Sequence, residues 1–375
     1  MELEASLDWL SLSMTPGLGS RLTGKLLRQF GTPSGVFRAS LTELEACHLP
    51  VAPARAIHTK LAHKDAEVEL AQVRTLGYRL LNWSEPEYPQ RLLEIYDPPP
   101  LLYARGDIGL LNRHSISMVG TRRPTPYGNQ IAERLAHDLA ERGLVIVSGM
   151  ARGIDSLAHQ GACRATNGAT IGVLGTGVDV IYPKENKKLF AEVEKRGVLI
   201  SEFPLGTHPA PENFPIRNRV VAGMALGVLV IQGAQYSGSL ITARLGMEFG
   251  REVYGVPGNV TVDVSFAPNQ MIKQGAKLVT SWEDVVEELP TEIRVELFPV
   301  EASSKAERAS LFENALSAAE KKIFALLDTD ESIHVDELVE KSELNSSEVL
   351  ASLFEMEMKG MVRQMPGKQF LKILL

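Results

Sequence analysis

Ser115-Ile116-Ser117-Met118-Val119-Gly120-Thr121-Arg122-Arg123-Pro124 reads as a short buried strand running straight into a glycine turn. A mostly apolar run of this length suits a strand covered on both faces. Gly-Thr followed by paired arginines suits a loop that meets phosphate, because glycine permits close backbone approach and guanidinium offers forked donors. The same texture recurs downstream. Strands are expected at Val145–Ser148, Thr170–Leu174, Val198–Ser201, Val228–Gln232 and Val253–Val256, with a short last one at Lys277–Val279. Helical periodicity fills most of the gaps, for instance Gly128–Arg142 and Ser239–Gly250. Such alternation predicts an α/β architecture, a doubly wound and mostly parallel sheet.

On the N-terminal side the first hundred residues read as helical. Leu22, Leu26, Leu27 and Phe30 fall at helical spacing, and Gly31-Thr32-Pro33 ends that helix. Pro16-Gly17-Leu18-Gly19-Ser20 is a tight turn between apolar stretches, as in a helix-hairpin-helix or SAM-like unit. Backbone N–H groups there can hold a phosphate, or the turn can simply be part of a packing module. Gly19 to Lys25 imitates a P-loop, but Leu26 stands where the magnesium-binding hydroxyl belongs and no buried strand precedes Gly19, so the match is rejected. Asp97-Pro98-Pro99-Pro100 bridges this region to the α/β part. On the C-terminal side residues 290–310 are polar and aperiodic, which reads as a linker. Three amphipathic stretches follow, Ser317–Leu327, Val335–Lys341 and Ser346–Lys359, and Met361–Leu375 suits a two-stranded wing turning at Pro366-Gly367. That combination predicts a winged helix. The expected domains are 1–80, 81–289 and 311–375, with 290–310 between the last two.

Composition narrows the function classes. The chain has 375 residues, 44% hydrophobic and 23% charged, enough for two or three packed domains. No apolar run approaches the roughly 20 residues of a membrane helix. The start, MELEASLDWL, is acidic and lacks the pattern of a secretory signal. Cys47 and Cys163, the only 2 cysteines, stand far apart, which argues against a disulfide framework and suits a reducing cytoplasm. The net charge of −7 is unevenly spread. Residues 112–233 hold 14 Lys+Arg against 10 Asp+Glu, whereas residues 283–357 hold 6 against 20. The middle of the chain can attract an anion; the C-terminal part repels one.

In a doubly wound sheet, ligands bind beyond the carboxyl ends of the strands. The first strand ends in Gly120-Thr121-Arg122-Arg123, and the second in Ser148-Gly149-Met150-Ala151-Arg152-Gly153. The third leads through Gly175-Thr176-Gly177 to Tyr182-Pro183-Lys184-Glu185-Asn186. After the fourth come Phe214-Pro215-Ile216-Arg217-Asn218-Arg219, and after the fifth Tyr236-Ser237-Gly238-Ser239. A single Gly-Thr turn is usually a helix entry and a lone arginine a solvated charge. Repeated on one edge of one sheet, they predict a rim for a phosphorylated ligand or polyanion. Tyr103, Tyr127, Tyr182, Phe214 and Tyr236 lie near that rim, and rings beside cations hold unpaired nucleic acid. Packing of the loops is the plainer role for each ring. Asp155 suits a helix cap first and an orienter of arginine second. No GxSxG elbow, HExxH or paired metal-ligand motif occurs, and His137, His159 and His208 have no partner in sequence.

MVGTRRPTPYG (118–128), VSGMARGIDSLAH (147–159), FPIRNRVVAG (214–223), YSGSLITARLGMEFGREVYGVPGN (236–259) and QGAKLVTSWEDV (274–285) resemble the DprA/Smf family, bacterial DNA-processing proteins of natural transformation. The resemblance covers essentially the whole chain. It implies a SAM-like domain, an extended Rossmann domain and a winged helix, in that order. It implies a cytoplasmic protein that binds single-stranded DNA without sequence preference, protects incoming strands, loads the RecA recombinase and forms homodimers through the Rossmann domain. It implies neither enzyme activity nor a cofactor or metal. Carried onto this chain, Gly120, Thr121 and Arg122 meet a phosphate, and Lys184, Arg217, Asn218 and Arg219 extend that contact. Ser148, Gly149, Ser237, Gly238 and Ser239 offer amides and hydroxyls. Ser265–Gln270 lacks the cation that the family commonly shows there, so no contact is carried onto it. Glu348, Glu355 and Glu357 on the third helix of the tail argue against duplex reading and for a protein-interaction module or a structural appendage. The rival reading is a nucleotide-processing enzyme of phosphoribohydrolase type, which needs a loop glutamate; residues 232–239 carry none, and the next is Glu248.

Overall fold

The computed structural model describes residues 2–298, 317–328, 332–342, 344–358, 362–365 and 367–372. They divide into two compact units, residues 1–297 and 298–375. The first opens with helices α1 (Glu2–Ser13), α2 (Ser20–Phe30), α3 (Pro33–Arg38), α4 (Leu41–Ala46), α5 (Val51–His58) and α6 (His63–Thr75). Strands β1 (Arg79–Asn82), β2 (Leu101–Gly106) and β3 (Ser115–Val119) follow. Helix α7 (Pro126–Glu141), β4 (Val145–Ser148), α8 (Ile154–Arg164), β5 (Thr170–Val173), α9 (Lys187–Arg196) and β6 (Val198–Ser201) then alternate. The unit ends with α10 (Asn213–Met224), β7 (Gly227–Val230), α11 (Gly238–Glu248), β8 (Glu252–Gly255), α12 (Phe266–Lys273), β9 (Lys277–Leu278), α13 (Trp282–Glu287) and α14 (Thr291–Leu297).

One sheet runs through this unit in the order β1-β2-β6-β5-β4-β3-β7-β8-β9. Pairing from β6 to β9 is parallel, while β1 and β2 join antiparallel at one edge. Strands β3 to β7 are buried at every position, as a sheet covered on both faces requires. Ile116, Met118, Ile146 and Leu229 pack on one face against Leu135, Leu139 and Ala158 of α7 and α8. Val119, Val147, Ile171 and Val228 pack on the other against Val221 of α10 and Leu240 of α11. The expected doubly wound sheet is therefore observed, with several strand ends shifted by one or two residues.

The all-helical reading of the first hundred residues is corrected at β1, and β2, just beyond them, is a strand that the sequence reading did not anticipate. Their leucines carry good intrinsic helix propensity, and only antiparallel pairing, β1 with β2 and β2 with β6, makes them strands. The expected boundary at 80/81 falls inside β1, and the helical region shares its core with the sheet: Trp9, Leu26 and Leu70 cluster with Tyr103, Phe190 and Leu199. Residues 20–25 of the rejected P-loop lie in α2. Helix α14 occupies the start of the expected 290–310 linker, and residues 299–310 lie outside the described residues.

The second unit has helices α15 (Ala318–Leu326), α16 (Val335–Ser342) and α17 (Ser346–Met358). Strands β10 (Ile333–His334), β11 (Val362–Met365) and β12 (Gln369–Lys372) form an antiparallel sheet in the order β10-β12-β11. Ile323, Leu338, Leu353 and Phe370 form its core. This is the expected winged helix.

Candidate nucleic-acid interface

From β3 the chain steps outward through β4, β5 and β6, then returns to the other side of β3 at β7. The strand order reverses between β3 and β7, so the loops after these two strands part and leave a crevice. The Thr121 amide donates to Gln232 O at 2.7 Å, tying the two loops together at its base. Gln232, buried at the end of β7, donates to Thr125 Oγ1 and accepts from the Thr125 amide, which fixes the entry to α7. Thr125 in turn caps that helix.

The crevice opens into a cavity of about 1030 Å³. Gly120, Thr121, Arg122 and Arg123 line one side and Ser237, Gly238 and Ser239 the other. Ser237 caps α11 by accepting from the Leu240 amide, and its hydroxyl meets that of Ser239 at 2.8 Å. The partial positive charge of that helix start faces the same space. Gly149, Asp155, Phe214, Arg217 and Asn218 also line it. Loops from separate strands therefore converge, as the rim reading anticipated.

Arg217 forms the floor. It is 5% exposed, its Nη1 donates to Val173 O at 2.7 Å, its Nε finds no acceptor, and nothing among the described residues bonds its Nη2. Gly149 makes room for it, since a Cβ at 149 would overlap the guanidinium. The turn that presents Gly149 continues through Met150 at φ 57°, a left-handed conformation unusual for a residue with a side chain. Asp155 lies buried beside Arg217. Burial pushes its carboxyl up, while Arg217 and Arg122 hold it down. Gly153, not Asp155, occupies the cap position of α8, and Asp155 instead accepts from the Ala151 and Gly149 amides, with Arg217 near enough to act on its charge. Above the floor Arg122 is exposed and stands over the Phe214 ring at 5.5 Å, and Phe214 contacts Tyr182 at 5.6 Å.

Several expected contacts are placed elsewhere. Arg219 is 7% exposed and does not line the cavity. Its guanidinium donates to both Glu202 oxygens at 2.7 Å and to Ser20 Oγ at 3.1 Å, with Asp97 at 3.3 Å. On α10, residues 214, 217, 218 and 221 face the cavity, and position 219 points to another side of the helix. Ser148 is fully buried and its hydroxyl donates to Met118 O, so it has no hydroxyl left for a phosphate. Lys184 is exposed outside the cavity wall. Beside it Glu185 pairs with Arg152, and Asn186 holds the SGMARG turn through Met150 O at 3.0 Å. Tyr103 is buried within the sheet rather than at the rim. The sequence reading also missed Asp263 and Val264, which reach the cavity from the loop after β8. That strand was legible, and following its carboxyl end as the others were followed would have found them.

Behind the floor, His159 is buried with no partner on Nε2, while Nδ1 meets Thr170 Oγ1 at 2.7 Å. Thr170 donates to Ile146 O, so it accepts from the ring. Burial, reinforced by Arg217, lowers its pKa from 6.5 to about 3. The unfolded chain then binds a proton that the native ring refuses, so this residue's contribution falls as pH drops from 6.5 towards 3. The loss is up to about 1.4 kcal/mol per pH unit. Denaturant unfolding across that window, compared with His159→Asn, should show the steeper acid loss in the unchanged protein.

A doubly wound sheet whose switch-point loops close on a cavity lined by Arg122, Arg123 and Arg217 defines an α/β protein with a crevice chemically suited to anions. The chain belongs to the DNA recombination-mediator protein A family, whose model matches residues 79–290; the DprA winged helix domain matches residues 306–368. It is 45% identical over 222 residues to the DNA processing protein DprA of Bacillus subtilis, covering 59% of this chain and 74% of that one. Against the Smf protein of Escherichia coli the identity is 36% over 307 residues, 81% of this chain and 80% of that one. The solved DNA processing protein A of Streptococcus pneumoniae aligns with a TM-score of 0.67 and 34% identity, over 75% of this chain and 96% of that one. That of Helicobacter pylori, described for its single-stranded DNA binding mode, aligns with a TM-score of 0.51 and 31% identity, over 56% and 94%. Among the described residues no helix is long and apolar enough to cross a membrane.

Proposed function

We propose that the cavity grips single-stranded DNA through its backbone, without sequence preference, and that the protein is a binder rather than an enzyme. In this reading it protects incoming strands in the cytoplasm and passes them to the RecA recombinase, acting as a homodimer through the α/β unit during natural transformation. The observation that carries the reading is Arg217: a buried guanidinium with donors to spare, on the floor of a cavity whose mouth holds exposed Arg122. Gly120 and Thr121 on one wall, and Asn218, Ser237, Gly238 and Ser239 on the other, are the proposed phosphate contacts. The Helicobacter pylori relative's described binding of single strands supports the ligand class.

The test is a titration with single-stranded oligonucleotides across salt. Arg122→Ala should weaken binding to all base compositions alike, by about tenfold, and shallow the logarithmic salt slope by about 0.7. Unchanged affinity and slope would remove the site from the cavity. The nucleotide-processing alternative lacks its loop glutamate, because residues 232–239 carry none and Glu248 sits exposed at the far end of α11. Release of free base from a panel of nucleotides would reinstate it. In the winged helix, α17 exposes Leu350, Phe354, Glu348, Glu355 and Glu357, a face that repels phosphate and suits contact with a protein.

A further inference from the structure

Tyr236 is the most exposed large apolar side chain among the described residues, at 91%. Among the described residues its ring has no aromatic, cationic or hydrogen-bonding partner. Yet the turn that carries it is anchored. It lies between Ala234 and Ser237, both of which line the cavity. The Ser237 amide donates to Ala234 O at 3.1 Å, closing the turn that carries the tyrosine. Ser237 is also the cap of α11, and the Gly233 amide is bonded to Val264 O, so the turn is anchored at both ends. One turn into α11, Ile241 lines the same cavity and is 44% exposed. A loop of small polar residues thus holds a ring in water beside the phosphate-facing wall.

We infer that Tyr236 is a base-stacking platform at the mouth of the cavity, with Ile241 as its apolar neighbour, and that it selects unpaired strands. This inference rests on the proposed binding of single-stranded DNA in that cavity. A base leaving the cavity on the α11 side would meet the tyrosine ring and bury both faces from water. Stacking needs no particular base, because every base offers a π-face. A duplex cannot use the platform, since its bases are already stacked and paired. Tyr236 accordingly adds affinity that is independent of salt, alongside the salt-dependent grip of Arg122.

The experiment titrates the full chain, Tyr236→Ala, Tyr236→Phe and Arg122→Ala with labelled oligo-dT and with an abasic oligomer of the same length. Tyr236→Ala should bind oligo-dT about tenfold more weakly with the salt slope unchanged. It should bind the abasic strand as the unchanged protein does, and Tyr236→Phe should restore oligo-dT binding. The tyrosine buries so little that thermal unfolding of the unchanged protein and both Tyr236 variants should coincide. Tyr236→Ala binding oligo-dT at full strength, or losing oligo-dT and abasic strand equally, overturns the platform. If Arg122→Ala is weakened in the same series, only the platform falls; if Arg122→Ala is unaffected, the cavity reading falls with it.

Discussion

Arg219→Ala should destabilise the α/β unit by about 3–5 kcal/mol, because it strips a buried guanidinium from two carboxylates that are themselves mostly covered. Arg219 holds Glu202 bidentately and Asp97 and Ser20 beside it, in surroundings where the arginine side chain is only 8% exposed. Without it, Glu202 is left charged in a site where burial already pushes its pKa up despite the arginine. The variant's deficit should therefore shrink at acid pH, where Glu202 takes a proton. Glu202→Gln in the same chain should recover part of the loss. Denaturant unfolding measures both. The companion readout is binding: folded Arg219→Ala should keep the salt slope of the unchanged protein. A shallower slope with little change in stability would return Arg219 to the DNA.

Gly149→Val should damage stability and binding together. A Cβ at this position overlaps Nη1 of Arg217, whose guanidinium is held in place by Val173 O. A branched side chain has no rotamer that relieves the overlap, so either the turn moves or Arg217 leaves the floor. The cost is about 1–3 kcal/mol, typical of overpacking. Affinity for single strands should fall to the level of Arg217→Ala, and adding Arg217→Ala to Gly149→Val should bring little further loss. If the two losses add in full, the two residues act separately and the floor is wrongly described.

The local chemistry of the strand ends was legible in the chain. Apolar runs of strand length and the turns Gly120-Thr121-Arg122 and Ser237-Gly238-Ser239 follow from short-range rules, since burial on both faces demands continuous apolar residues and helix entries demand small capping residues. The winged helix was legible for the same reason, its helices being amphipathic at regular spacing. Strands Arg79–Asn82 and Leu101–Gly106 were not, because leucine-rich segments become strands only by pairing with a distant partner. Nor could the spacing Arg217-Asn218-Arg219 say which arginine meets the ligand. Two residues apart on a helix, the pair points to different sides. Only the packing of α10 sends one guanidinium to the cavity floor and spends the other on Glu202 and Asp97. Sequence by itself determined which charges and turns this protein owns. Tertiary structure decided which of those charges are neutralised inside the fold and which remain for a partner, because the acids that pair with them come from remote parts of the chain.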